Sequence, residues 1–89
     1  MTVTNNTADG RYELTVDGET AIAAYELDGD RTIFTHTIVP DSIGGQGVGT
    51  RLIEGALADV RRSGGRVVPE CSFVKAYLDA HPDQQDLLD

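Results

Sequence analysis

The stretch Pro40-Asp41-Ser42-Ile43-Gly44-Gly45-Gln46-Gly47-Val48-Gly49-Thr50 decides how this chain folds. A run rich in β-branched residues ends just before it, and a helical pattern begins inside it. Glycine permits sharp turns, and a turn that opens a helix presents unpaired N–H groups at the positive end of the helix dipole. The stretch therefore predicts an anion site, most often one for phosphate, with a flexible loop that binds nothing as the alternative.

Upstream of this stretch, the sequence predicts three strands joined by tight turns. Residues 11–16 and 20–27 alternate between apolar and polar side chains, with Asp17-Gly18 as the hairpin turn between them. Residues 32–39 form the third strand and follow the turn Asp28-Gly29-Asp30. Residues 1–10 are small and polar, so we expect a loose N-terminal tail in front of a domain that spans residues 11–89.

Downstream, the pattern changes to a helix, a strand and a second helix. Gly64-Gly65 predicts the end of the first helix, and a right-handed crossover makes the strand at residues 66–71 parallel to the third strand. Pro69 removes a hydrogen-bond donor from the ladder, so we expect the two strands to separate near it. The predicted buried face of the first helix comprises Val48, Leu52, Ile53, Ala56, Leu57 and Val60.

The end of the chain is predicted to hold a short amphipathic helix and a solvated acidic tail. Ser72 is the expected N-cap of that helix. The acidic tail covers residues 83–89. The apolar residues expected on the inner face of the helix are Phe73, Val74, Tyr77 and Leu78.

Composition excludes several classes of function. The chain has 89 residues, enough for one domain, and its net charge of −8 argues against nucleic acid or an anionic membrane as a partner. Its single cysteine, Cys71, cannot form an internal disulfide, and with two distant histidines it does not make a zinc site. We expect a cytoplasmic protein, because no signal peptide is apparent and no apolar run approaches about 18 residues.

The segment Gly44-Gly45-Gln46-Gly47-Val48-Gly49 resembles the acyl-CoA-binding motif of the GNAT N-acetyltransferases, which reads Arg/Gln-x-x-Gly-x-Gly/Ala. The chain is similar to the small, single-domain Yjdj-type members over roughly residues 12–88. The resemblance also rests on His36-Thr37, on Val67-Val68-Pro69-x-Cys71-x-Phe73-Val74, and on Tyr77 with His81-Pro82. It implies a minimal GNAT-like α/β (α+β) fold: an antiparallel meander of three strands, a crossover helix, a parallel fourth strand and a C-terminal helix.

The resemblance implies acetyl-CoA as the co-substrate, with the pantetheine arm pairing with backbone near Ile38 and Val39. Gly44 stands where the family has Arg or Gln, so a side chain that would brace the loop is missing. The acceptor side is open, because Asp17-Gly18-Glu19 replaces the helices that most family members have between their first two strands. A partner, or the second subunit of a homodimer, would complete it. The implied pyrophosphate donors are the backbone N–H groups of Gly45, Gln46, Gly47, Val48, Gly49 and Thr50.

Three residues are candidates for the chemistry, and packing in the core is the alternative reading of each. Cys71 could carry the acetyl group, if the helix start behind it activates the thiol, or an amine could attack the thioester directly. His36, expected on the same face as Phe34, suits a general base, and Glu70 is its rival. The resemblance implies that Tyr77 protonates the departing CoA thiolate.

The sequence therefore predicts an acetyl-CoA-dependent N-acetyltransferase that acts on an amine of a small molecule or a protein, without a metal. One alternative is a non-catalytic acyl-CoA-binding or interaction module. The other is a structural domain with no affinity for CoA.

Overall fold

Tight turns join the first strands of a five-stranded sheet. The computed structural model of the protein describes residues 2–89. At the turn between the second and third strands, Asp17 and Gly18 both have positive φ, 52° and 78°, as a type I′ hairpin requires. The first four strands are antiparallel neighbours: β1 (Thr4–Asn6), β2 (Arg11–Val16), β3 (Glu19–Asp28) and β4 (Arg31–Ile38). The predicted meander of three strands is confirmed as β2, β3 and β4.

A crossover then returns the chain to the same sheet. Pro40 follows β4, and a 3-10 helix at Asp41–Ile43 leads towards α1 (Val48–Arg62). β5 (Arg66–Pro69) runs parallel to β4 and lies at the edge of the sheet. α2 (Ser72–Ala80) and a second 3-10 helix, Pro82–Leu87, complete the chain. The strand order β1-β2-β3-β4-β5, with only the last pair parallel, confirms the predicted α+β fold.

Both helices cover the same face of the sheet, and the opposite face stays open. The rings of Tyr12, Tyr25 and Phe34 pack together under the helices, with centroids 5.2 to 6.4 Å apart. The open face is lined by half-buried apolar residues such as Ile22 and Ile33. All the predicted core positions of α1 are buried: Val48, Leu52, Ile53, Ala56, Leu57 and Val60. Burial of each of the larger aliphatic side chains stabilises the fold by about 1.5–3 kcal/mol.

The N-terminal segment differs from the expected tail. Thr4–Asn6 pairs with β2, and Val3 packs against the core; Met1 lies outside the described residues. Gly55 of α1 leaves the space that this segment occupies, since a Cβ atom at Gly55 would lie 2.4 Å from Cγ2 of Val3. The segment shows no alternation of apolar and polar residues, so its pairing depends on the neighbouring strand and on α1 rather than on its own pattern.

The acidic C-terminal residues also differ from the solvated tail that was predicted. The side chain of Leu87 is only 4% exposed, and the N–H of Asp89 donates to the carbonyl of Val67 at 3.2 Å. Arg61 binds both carboxylate oxygens of Asp86, at 2.8 and 2.9 Å. This segment covers the outer edge of β5, which would otherwise present unpaired backbone groups.

Tyr12 makes the stability of the fold sensitive to alkaline pH. Its hydroxyl donates to Asp59 on α1 at 2.8 Å. Burial, reinforced by the hydrogen bond and the charge of Asp59, raises the pKa of Tyr12 above its ordinary value. An unfolded tyrosine ionises near pH 10, so above that pH the unfolded state loses a proton that the folded state keeps.

We therefore expect the free energy of unfolding to fall as the pH rises above about 10, and to fall less steeply in Tyr12→Phe. At pH 8 the variant should lose about 1 kcal/mol, the usual net value of a hydrogen bond. Urea denaturation between pH 8 and pH 11 measures both effects. Equal slopes in the two proteins would contradict the role given to Tyr12.

Candidate functional site

The glycine-rich stretch forms a turn whose backbone requires glycine. Gly45 and Gly47 have φ of 77° and 73°, in the left-handed region that other residues rarely adopt. A Cβ atom at either position would meet nothing within 4 Å, so the backbone conformation rather than crowding selects glycine there. Ile43, 1% exposed, anchors the start of the turn in the core.

The turn leaves the N-terminus of α1 without a side-chain cap. Gly47 is the N-cap residue, and it contributes no side-chain hydrogen bond. The N–H groups of Val48, Gly49 and Thr50 have no carbonyl partner within the helix, because they lie in its first turn. Together with the helix dipole, they form a positive backbone surface in a protein whose net charge is −8.

A cavity of about 250 Å³ lies directly over this surface. Most residues predicted to bind CoA line it, but Ile38 and Gln46 do not. Phe73 from α2 forms a further wall that the sequence reading did not assign to the site. The complete lining is Val39, Gly44, Gly45, Gly47, Val48, Gly49, Thr50 and Phe73.

Phe73 packs α2 against α1 at the cavity. A Cβ atom at Gly49 would lie 2.7 Å from Cζ of Phe73, so the ring packs directly on the backbone of α1. The sequence placed Phe73 on the buried face of α2, but it is 41% exposed, because it lies at the mouth of the cavity. Gly49 is therefore required for close approach, unlike Gly45 and Gly47.

Next to the cavity, β4 and β5 separate as predicted. Their parallel pairing ends at Phe34 and Pro69, whereas β4 continues to Ile38 alongside β3. The N–H of Cys71 then donates to the carbonyl of Phe34 at 2.9 Å, and the chain turns into α2. Among the described strands, none pairs with β4 beyond Phe34 on this side, so a gap opens there.

A β-bulge at Thr35 decides which side chains face this gap. Tyr25 pairs with Phe34 but Ala24 pairs with His36, so β4 has one extra residue. One extra residue moves every later side chain to the other face of the sheet. The expectation that His36 shares the face of Phe34 is therefore wrong. His36 is exposed on the open face, with its Nδ1 3.2 Å from Oγ1 of Thr35.

The same bulge turns Thr37 towards Cys71. The hydroxyl of Thr37 lies 3.4 Å from Sγ of Cys71, which is 7% exposed. Cys71, and not the predicted Ser72, is the N-cap residue of α2. Burial opposes the thiolate, but hydrogen bonds from Thr37 and from the N–H groups of Val74 and Phe73 outweigh it, so the pKa of Cys71 is lowered.

Tyr77 lies elsewhere in the site. It follows Cys71 by six residues of α2, about 9 Å of helix rise, and its hydroxyl donates to Glu54 on α1 at 3.2 Å. Its ring stacks on His81 with centroids 3.9 Å apart. Burial and the negative charge of Glu54 raise the pKa of Tyr77 to about 12. The structure thus brings Cys71 and Thr37 together, and it places His36 and Tyr77 apart from them.

Two further features of the described chain bear on the site. Residues 2–89 contain no group of three or more His, Cys, Asp and Glu side chains placed to hold a metal ion. No helix in the same range has both the length and the apolar character needed to cross a membrane.

Comparison with known proteins agrees with this architecture. Residues 11–87 match the family model described as GCN5-related N-acetyltransferase. The chain therefore belongs to the GCN5-related N-acetyltransferase (GNAT) family, a family of acyltransferases. No curated protein matches the chain.

A solved structure has the same fold. It is the solution structure of a GCN5-like protein from Staphylococcus aureus, described as a candidate N-acetyltransferase, and it is 25% identical to this chain with a TM-score of 0.75. The similarity covers 98% of this chain and 86% of the other. The two chains therefore share the fold over nearly the whole domain.

The contact between Thr37 and Cys71 gives a test that needs no substrate. Thr37→Val keeps the side-chain shape but removes the hydroxyl, so the thiolate loses a donor and the pKa of Cys71 should rise. Because Cys71 is the only cysteine, the rate of its alkylation by iodoacetamide as a function of pH reports its ionisation alone. We expect slower alkylation at neutral pH in Thr37→Val. Thr37→Ser, which keeps the hydroxyl, should behave like the native protein.

Proposed function

We propose that this protein transfers the acetyl group of acetyl-CoA to an amine. The observation that carries the proposal is the position of the glycine-rich cavity beside the gap between β4 and β5. Thr37 and Val39 connect the two, because Val39 lines the cavity and Thr37 contacts Cys71. A ligand with an anionic centre and a long amide-bearing arm fits this arrangement.

In this proposal, the pyrophosphate of CoA lies on the backbone N–H groups of residues 45–50. The missing Arg or Gln at Gly44 removes a side-chain contact and leaves these donors in place. Backbone donors suit an acidic protein, since they attract an anion without requiring a basic side chain. Phe73 and Val39 provide apolar walls beside the phosphates.

The pantetheine arm would run along the part of β4 that lacks a neighbouring strand. Backbone groups of Ile38 and Val39 can pair with the amides of the arm, much as a missing strand would. Because β4 and β5 separate at Pro69, the thioester end of the arm would reach the region of Thr37 and Cys71.

Two routes of transfer are compatible with these residues. In the direct route, the amine nitrogen attacks the acetyl carbonyl, the carbon–sulfur bond breaks, and CoA leaves as a thiolate while a base takes the proton of the amine. In the covalent route, the Cys71 thiolate first displaces CoA, and the amine then attacks the acetyl-cysteine and releases the thiolate again. The lowered pKa of Cys71 supports the covalent route.

The acceptor would approach from the open face of the sheet. His36 is exposed on that face, two residues before Ile38, and it can take a proton from an incoming ammonium group directly or through water. The role of Tyr77 in protonating the CoA thiolate stays a prediction, and its hydroxyl is bonded to Glu54. The identity of the amine, a second subunit that completes the acceptor side and a cytoplasmic location stay predictions as well.

A non-catalytic acyl-CoA-binding module is the second candidate. The open acceptor side favours it, since only the two-residue turn at Asp17 and Gly18 joins β2 to β3. Such a module would bind CoA through the same cavity, so binding and turnover have to be measured separately.

Binding at the glycine turn is tested by thermal unfolding with and without acetyl-CoA. Ligand at about 100 times its Kd should stabilise the native protein by roughly 2.7 kcal/mol, a Tm increase of about 10 °C or more. Gly47→Glu places a carboxylate in the open space where the phosphates would lie, and this should abolish the increase. Gly47→Gln is the matched control, with the same backbone strain but no added charge. No shift in the native protein at millimolar ligand would overturn the proposal.

The covalent route is tested by intact mass after incubation with acetyl-CoA. We expect an acetyl adduct in the native protein and none in Cys71→Ala. Both proteins should show the same thermal shift with acetyl-CoA, since Cys71 does not line the cavity over the glycine-rich turn. Transfer to an amine without a Cys71-dependent adduct would establish the direct route.

A further inference from the structure

The open face of the sheet carries an apolar patch that neither helix covers. Strand register places alternate residues of β2 to β5 on this face, opposite the one that packs against the helices. Ile38, at the end of β4, is 52% exposed, and the other apolar side chains of the face are half-buried. A contiguous apolar patch on a small domain marks a surface that binds a partner. The apolar residues of the face are Ile22, Ala24, Ile33, Ile38 and Val68.

The charges on the open face are balanced, unlike those of the remainder of the chain. Strand residues on this face contribute three cations and three carboxylates, whereas the whole chain has 7 cations and 15 carboxylates. The entire net charge of −8 therefore lies on other parts of the chain. Two copies of such a chain repel each other through their acidic surfaces and can meet at a balanced face. The charged strand residues of the face are Arg11, Glu13, Glu26, Asp28, Arg31 and Arg66.

We propose that two copies of this chain associate through their open faces, about a two-fold axis parallel to the strands and between β3 and β4. About such an axis, each residue of β4 lies opposite the residue of β3 that pairs with it within one chain. Arg31 therefore lies opposite Asp28 of the second copy. Ile38 likewise lies opposite Ile22. The face thus complements itself, as an interface between identical subunits requires.

The pairing of charges selects this axis over the other aligned arrangement. Two sheets that pack face to face keep their strand directions within about 30° of each other, so the axis runs either along the strands or across them. An axis across the strands would place Arg31, at the start of β4, opposite Ile38, at its end. A guanidinium group would then lose water without gaining a carboxylate partner.

The size of the face predicts a reversible dimer. Strands lie about 4.8 Å apart and rise about 3.3 Å per residue, so four strands and the 10 residues of β3 span roughly 20 Å by 30 Å. The resulting area of roughly 600 Å² per copy lies at the lower limit for specific complexes. We therefore expect a Kd of roughly 1–100 μM.

The second copy would also complete the acceptor side, a consequence that rests on the proposed function. About the same axis, β2 of the second copy lies over the gap beside β4, where the pairing with β5 has ended. From that strand, Arg11 and Glu13, whose Nε and Oε2 atoms are 2.7 Å apart, would face the gap. His36 lies opposite Ala24 of the second copy, whose short side chain leaves space for an amine.

Sedimentation equilibrium of the full chain, from about 1 μM to about 1 mM, measures the association. Asp28→Arg sets like charges opposite each other in both halves of the interface, and we expect it to raise Kd by roughly tenfold or more. Combining it with Arg31→Asp exchanges the two charges and should restore the native Kd. Asp83→Arg, in the segment after α2, changes the net charge equally and is the matched control. It should not weaken the dimer.

Modification by diethyl pyrocarbonate identifies the face that is covered. His36 lies inside the proposed interface, whereas His81 stacks on Tyr77 of α2, on the other side of the sheet. We expect His36 to lose its reactivity at protein concentrations well above Kd, and His81 to react equally at all concentrations. Peptide mass spectrometry distinguishes the two histidines.

Each alternative outcome overturns a distinct statement. A native protein that stays monomeric at about 1 mM would overturn the proposed dimer, and a thermal shift with acetyl-CoA in that monomer would leave the proposed function intact. A dimer in which His36 stays reactive, or which the exchange of charges does not restore, forms through another surface and equally overturns the proposal. A dimer with the expected behaviour but no thermal shift with acetyl-CoA would support the association and overturn only its consequence for the acceptor.

Discussion

The end of the pairing between β4 and β5 is the constraint on which the site depends. The ladder that began at Arg31 and Arg66 stops after Phe34, where the N–H of Glu70 turns back to the carbonyl of Val68 at 3.2 Å. The N–H of Cys71 then donates to the carbonyl of Phe34, and α2 begins at the next residue. The turn of the backbone at Glu70 thus ends the pairing and places the thiol of Cys71 at the edge of the gap.

In the proposed function, backbone geometry rather than charged side chains attracts the anion. Two strands lead into two helices, and the packing of Phe73 on Gly49 holds the N-termini of those helices side by side. The positive end of the α1 dipole therefore faces the cavity, in a chain whose net charge is −8, while the N–H groups at the start of α2 face Cys71. This explains why the glycines matter individually: Gly45 and Gly47 supply positive φ, and Gly49 supplies space.

The bulge at Thr35 has the largest consequence for chemistry. The bulge turns Thr37 towards the thiol of Cys71 and His36 towards the open face of the sheet. The residues proposed to act on the thioester and on the acceptor amine therefore lie on opposite sides of β4. Thr4–Asn6 adds an edge strand beside β2, and Leu88 bridges to Val67 on the outer edge of β5.

The sequence by itself determined the meander, the crossover, the buried face of α1, the glycine turn and the separation at Pro69. These features follow from local rules, namely alternation, helical period and the positions of turn-forming and strand-ending residues. Only the tertiary structure decided the bulge, the exposure of Phe73, the hydrogen bond from Tyr77 to Glu54 and the covering of the outer edge of β5. A bulge depends on the pairing of two strands, and a contact between helices depends on their packing. Neither feature produces a periodic pattern of residues, so neither can be predicted from one amino-acid sequence.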